Sequence, residues 1–241
     1  METEDPKSST APDSDIPWQH QAATAKPVFD VDEFERQQRA REWMRMLDEI
    51  GQRYRHASLK SYQFHGTPDE QRRQTEAVEA IRDYGRNLED RVSECSNVIL
   101  FGPAGTGKDH LMAALMCHAI IAHGLKVGWV NGLKLFANFR DSFDSDTTEK
   151  ELLQQYTRPD VLAISDPLPP SGALTDFQMG VMFRVIDDRY RQCRPTWITI
   201  NVADGLEASS RMGEQVVDRL RDGALSVFCN WPSWRRREVG R

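Results

Sequence analysis

The sequence predicts a three-layer α/β domain built on a parallel sheet, preceded by an acidic tail and one helix. Two observations carry this. Apolar runs of four to six residues recur from residue 98 onward, with stretches of helical periodicity between them. The first run leads into a glycine-rich loop that opens a helix, the junction found where parallel strands feed crossover helices. The expected division is a disordered acidic tail at 1–29, a helix and linker that binds a protein partner at 30–66, and the α/β domain at 67–241.

The tail has many Ser, Thr, Asp, Ala and Pro residues and few large apolar groups, so it cannot bury enough surface to offset chain entropy. It also concentrates charge. The net charge is −6, and residues 1–50 hold twelve acids against six bases, so the body is neutral and its acidity does not argue against DNA. Asp30 and Glu33 have capping-box spacing. Trp43, Met46, Leu47 and Ile50 then form an apolar stripe before Gly51; it either packs on the body or receives a partner.

Residues 67–95 read as one helix with Ala77, Val78, Ala80, Ile81 and Tyr84 on its apolar side. Val98-Ile99-Leu100-Phe101 is a buried strand, followed by a helix at 108–123. Strands are expected at Lys126–Asn131, Val161–Ile164, Thr196–Ile200 and Leu225–Phe228, with helices near 133–143, 147–156, 174–192 and 213–221. No apolar run approaches the roughly 18 residues of a membrane span. The opening residues are acidic and polar, unlike a secretory signal. The four cysteines, 95, 117, 193 and 229, are widely spaced, so neither zinc nor a disulfide framework is expected, and a reducing cytoplasm fits. The basic Trp234–Arg241 end is either solvated or touches phosphate.

Gly102-Pro103-Ala104-Gly105-Thr106-Gly107-Lys108 matches GxxxxGK between a strand and a helix. Glycines let backbone N–H groups curl around phosphate oxygens, Lys108 supplies a point charge, and the helix N-terminus faces the same anion. The chain is therefore expected to bind ATP through Gly102–Lys108, Asp109 and His110. The position after the lysine usually carries a hydroxyl for Mg²⁺; here it is Asp109, an oxygen donor of another kind.

Strand 161–164 ends in Ser165-Asp166-Pro167. P-loop ATPases place a metal-holding acid here, then a second acid that orients water. In one register Ser165 takes the metal position and Asp166 the water position. In the other, Asp166 is the metal acid and Pro167 removes the base. The first register implies an exchange: the loop carries the carboxylate Asp109 and the strand carries the hydroxyl Ser165. Mg²⁺ ligands are accordingly expected among Asp109, Ser165 and Asp166.

These motifs, in this order, resemble the DnaC/IstB family of AAA+ ATPases, especially its helicase loaders. The resemblance covers about Tyr54 to Arg237. Gln52–Leu59 resembles the segment leading into the core, and Gly105–Leu111 resembles a P-loop variant with a polar residue other than Ser or Thr after the lysine. Asn201 falls at the sensor 1 position. Gly213–Arg221 resembles the segment whose arginine, here Arg219, reaches a neighbouring subunit's nucleotide; Phe228–Arg235 resembles the C-terminal strand and tail. The resemblance implies catalytic roles for Asp166, Asn201 and Arg219, self-association through Arg219, and weak ATP hydrolysis. It implies loading of a replicative helicase onto single-stranded DNA. The alternatives are an IstB-like transposition helper with a transposase partner, or a nucleotide-binding adaptor that hydrolyses little. Lys134 and Arg140 lie where such proteins line a DNA path, while Phe136, Phe139 and Phe143 read as a core face.

Overall fold

The computed structural model describes residues 31–144 and 147–236. The expectations for the 1–29 tail, the Asp30 cap and residues 237–241 lie outside them. Five strands, β1 (Val98–Phe101), β2 (Val127–Asn131), β3 (Val161–Ser165), β4 (Thr196–Ile200) and β5 (Leu225–Phe228), form one parallel sheet in the order β2-β3-β4-β1-β5. The chain leaves β1 toward one side of the sheet and returns later to its other side, and such a switch point opens a crevice at the C-terminal strand ends.

Alternate residues of each strand enter opposite cores, as the two-residue period of a strand requires. Val98, Leu100, Val161, Ala163 and Trp197 join one core, covered by α1 (Val31–Ile50), α2 (Pro68–Arg86), α3 (Leu88–Ser93) and α4 (Lys108–His123). Ile99, Leu162, Ile164, Ile198 and Ile200 join the other, covered by α5 (Gly132–Asp141), α6 (Glu149–Thr157), α7 (Asp176–Arg191), α8 (Gly205–Met212) and α9 (Glu214–Arg221). These layers are the predicted three.

One pair of alternatives is decided, and other expectations are corrected. Of the two readings of the stripe Trp43, Met46, Leu47 and Ile50, packing on the body holds, and the stripe does not form an open docking face. The 67–95 helix is two helices, interrupted at Asn87, whose backbone leaves helical geometry while its side chain donates to the Asp83 carbonyl. Helix α8 was not anticipated, although Asp204 caps it by accepting from the Glu207 N–H, a pairing legible in the spacing. Cys95 and Cys193, expected to be unrelated, stand side by side with their Cα atoms 4.8 Å apart, a spacing a disulfide can span. Their separation of 98 residues concealed that they precede β1 and β4, which are neighbours in the sheet.

Candidate nucleotide-binding site

The crevice at the C-terminal strand ends is a cleft of about 300 Å³. Its floor is the loop between β1 and α4, where Gly102, Gly105 and Gly107 have positive φ. At Gly102 a Cβ would lie 2.6 Å from the Cys229 carbonyl oxygen, and at Gly107 it would lie 2.9 Å from the Tyr62 ring. Glycine is required at both for left-handed backbone and close approach. Side chains cap α2, α5, α6, α7 and α8, but none caps α4 at Gly107. Its first-turn N–H groups and dipole are therefore available to an anion.

Lys108 is buried, and its Nζ donates to the carbonyls of Gly102 and Pro103 and to Asn201 Oδ1, each at 2.8 Å. Asn201 Nδ2 in turn donates to Asp166 Oδ1 at 2.7 Å. One amide thus joins the P-loop cation to the strand-end acid, both of its ends engaged. Asp166 has φ 44° and is held by its backbone N–H to the Thr199 carbonyl at 3.0 Å. Burial and the neighbouring Asp109 carboxylate push its carboxyl up to about 6, against the pull of Lys108 and Arg235. Burial likewise lowers the Lys108 ammonium.

Asp109 and Ser165 meet directly: Ser165 Oγ donates to Asp109 Oδ1 at 3.0 Å, and Thr199 Oγ1 donates to the same oxygen at 2.8 Å. The carboxylate and hydroxyl read as exchanged are thus within hydrogen-bond distance of each other. Among the described residues no three His, Cys, Asp or Glu side chains converge on one metal position. Mg²⁺ needs no such cage, because it is commonly held by one or two carboxylates, phosphate oxygens and water. Two carboxylates beside an uncapped helix and a single P-loop lysine fit a polyphosphate with its cation.

The cleft is lined by Ala104–His110, Asp166 and Asn201, with Gly102 and Pro103 behind them as carbonyl acceptors for Lys108. His110 Nε2 lies 3.0 Å from the Ser58 carbonyl, which ties α4 to the leading segment. The lining also includes Arg53, Tyr54, Ser61, Tyr62, Gln63 and His65, which sequence reasoning missed, and Trp234 and Arg235 from the end for which phosphate contact was one of two readings. Tyr62 Oη and Trp231 Nε1 both donate to the Thr106 carbonyl, at 3.0 and 2.8 Å, and the Trp234 N–H donates to the Gly105 carbonyl at 2.9 Å. The segments before α2 and after β5 therefore clasp the P-loop backbone from two sides. Paired strands and caps leave a sequence signal; this meeting of distant segments leaves none.

Three expected residues stand apart. Arg219 lies on α9, where its Nε donates to Asp187 Oδ1 at 2.8 Å and its guanidinium sits 4.8 Å from the centre of the Phe183 ring. It lines a second, surface cleft with Tyr190, Glu214, Arg221 and Asp222. Lys134 and Arg140 are exposed on α5. Phe136 and Phe139 are core residues as expected, but Phe143 is 68% exposed and stands 6.2 Å from the Phe177 ring, over which Arg140 also lies.

Sheet order, P-loop and strand-end acid together define a nucleotide-binding domain of the AAA+ type. The chain belongs to the IstB-like ATP-binding protein family, whose model matches residues 21–238. It is 27% identical over 232 residues to the replicative helicase loader DnaC of Escherichia coli K12, covering 94% of this chain and 87% of that protein. The fold is similar to a crystal structure of the DnaC helicase loader, with a TM-score of 0.65 at 23% identity over 74% of this chain and 99% of the other. A structure of the replication initiator DnaA bound to AMPPCP and single-stranded DNA matches with a TM-score of 0.57 at 18% identity, over 74% and 50% of the two chains. Among the described residues no helix is long and apolar enough to cross a membrane.

Proposed function

We propose that this protein is an ATP-dependent loader that places a replicative helicase on single-stranded DNA in the cytoplasm. The observation that carries the reading is similarity to a helicase loader along 94% of the chain, including the segments on either side of the ATP-binding core. Lys108 and the uncapped first turn of α4 bind the phosphates. Asp109 and Ser165 would hold Mg²⁺, which would offset the phosphate charge. Asn201 responds to the terminal phosphate through its bonds to Lys108 and Asp166. Asp166 orients and deprotonates the attacking water; a carboxyl raised toward neutrality suits a general base. Hydrolysis is weak, because the catalytic acids depart from the usual arrangement.

Arg219 acts on a neighbouring subunit's nucleotide, in keeping with its distance from its own cleft. Asp187 holds it ready, and self-association brings it into use. Lys134 and Arg140 meet DNA phosphates, and the exposed Phe143 beside Phe177 provides a surface on which a base can stack. The 30–66 region binds the helicase through faces other than the buried stripe.

A second reading, an IstB-like transposition helper, is favoured by the family model itself. Co-purification of the full chain with a replicative helicase or with an insertion-sequence transposase separates the two. ATP-dependent retention of the helicase supports the loader; retention of the transposase alone overturns it. Retention of either partner without measurable ATP turnover would make the protein a nucleotide-binding adaptor.

A further inference from the structure

Among the described residues, three that are not glycine have positive φ: Asp166, Cys95 and Cys193. Left-handed backbone is unfavourable for a side-chain-bearing residue and concentrates where function holds it. Asp166 belongs to the nucleotide cleft. The two cysteines lie at the far end of the sheet, and their placement has a shared logic.

Helix α3 ends with the Ser96 N–H bonded to the Arg91 carbonyl and the Cys95 N–H bonded to the Val92 carbonyl. Helix α7 ends in the same way, with Arg194 N–H to Arg189 and Cys193 N–H to Tyr190. Both are Schellman caps, and each cysteine sits at the left-handed position that glycine usually fills. Helix α4 also ends at a left-handed residue, in the simpler αL form with the Gly124 N–H bonded to the Ile120 carbonyl, and there glycine takes the position at φ 64°. So two neighbouring caps forgo glycine, and both do so for cysteine. Their Cα separation of 4.8 Å lies within the range a disulfide spans. Cys193 is exposed and Cys95 half-buried, so a small reagent can reach the pair. Cys117 and Cys229 are not part of it.

We propose that Cys95 and Cys193 form a reversible redox staple across the N-terminal ends of β1 and β4. These strands carry the P-loop and Asn201 at their other ends. The reaction is thiol–disulfide exchange with a small disulfide such as oxidised glutathione. One cysteine thiolate attacks a glutathione sulfur, releasing one glutathione thiolate and forming a mixed disulfide. The second cysteine thiolate then attacks the protein sulfur of that intermediate, closing the Cys95–Cys193 bond and releasing the second glutathione thiolate. Two protein thiols become one disulfide, one glutathione disulfide becomes two thiols, and excess reduced glutathione reverses the change.

The test equilibrates the full chain across reduced-to-oxidised glutathione ratios, alkylates free thiols under denaturing conditions and weighs the intact protein. The expected result is four alkylated cysteines at the reduced limit and two at the oxidised limit, with a cross-linked peptide joining residues 95 and 193. Closing so long a loop should raise the thermal midpoint by roughly 10 °C. The double variant Cys95→Gly/Cys193→Gly suits both caps and should fold, with a midpoint that does not respond to the ratio. Four alkylated cysteines throughout, a cross-link through Cys117, Cys229 or a second chain, or an equal redox response in the double variant would each overturn the proposal.

Discussion

The N-terminal strand ends gather Arg189, Asn97, Thr196 and Tyr84; the C-terminal ends gather Lys108, Asp109, Asp166 and Asn201. Both groups are polar and lie against the sheet, but they are satisfied differently. Arg189 is fully buried and, among the described residues, forms no ion pair, yet it donates to the carbonyls of Tyr156, Pro159, Asp160 and Pro195 and to the Thr196 hydroxyl. Asn97 gives its amide hydrogens to the Arg219 and Leu220 carbonyls and takes the Thr196 N–H. At that end backbone acceptors complete the network. At the other end two carboxylates share a small volume with Lys108, and one of them is pushed toward neutrality. Complete satisfaction by the protein's own backbone fixes structure. Incomplete compensation of like charges leaves room for a ligand to complete the set.

The sharpest way to break this contrast is Arg189→Met, which strips donors from four carbonyls and a hydroxyl at once. The expected loss is about 3–5 kcal/mol, read as a lowered urea midpoint. The fraction that remains folded should bind ATP normally, because the cleft lies at the opposite strand ends. Lys108→Ala reverses the pattern. It should weaken ATP binding by about 100-fold or more in titration calorimetry while costing less stability than Arg189→Met, since only the Gly102, Pro103 and Asn201 acceptors, beside the open cleft, lose a donor. Unweakened binding would remove the P-loop assignment.

A smaller effect sharpens the comparison through pH. The ordinary Asp value is near 4, and the folded chain raises Asp166 to about 6. Between those values the folded state binds more proton than the unfolded one, so this group's contribution to stability is complete below about 4 and is lost as pH rises through about 6. Asp166→Asn should therefore stabilise the ligand-free protein at pH 7.5 by about 1–2 kcal/mol, allowing for partial solvent access, and should flatten stability between pH 4 and 6. It should also lower ATP turnover, a gain and loss characteristic of a functional site.

The two ends also differ in how far the sequence disclosed them. Strands β1 and β3 were legible because each opens on an uninterrupted run of four apolar residues between turn residues, and the P-loop because its glycines have fixed spacing. Asp109 and Ser165 could be paired because a missing oxygen type at one position reappears at the other. Arg189 was not legible, since an arginine in an amphipathic helix looks solvent-facing until the segments leading into β3 and β4 bring their carbonyls around it. Nor were Tyr62, Trp231 and Trp234, whose partner is the P-loop backbone itself. The cysteine pair was hidden for the same reason: adjacency came from strand order, and sequence separation carries no trace of it.

The exchanged carboxylate and hydroxyl are tested most directly by a double-mutant cycle on Mg²⁺-dependent ATP affinity, using the parent, Asp109→Thr, Ser165→Asp and the combined variant. Asp109→Thr leaves two hydroxyls facing each other, Ser165→Asp leaves two carboxylates beside the phosphates, and the combination recreates the usual arrangement. If the two positions share one cation, each single change should weaken Mg²⁺-dependent binding and the double should recover it, with a coupling of about 0.5–3 kcal/mol. Additive effects of the two changes would contradict the shared site.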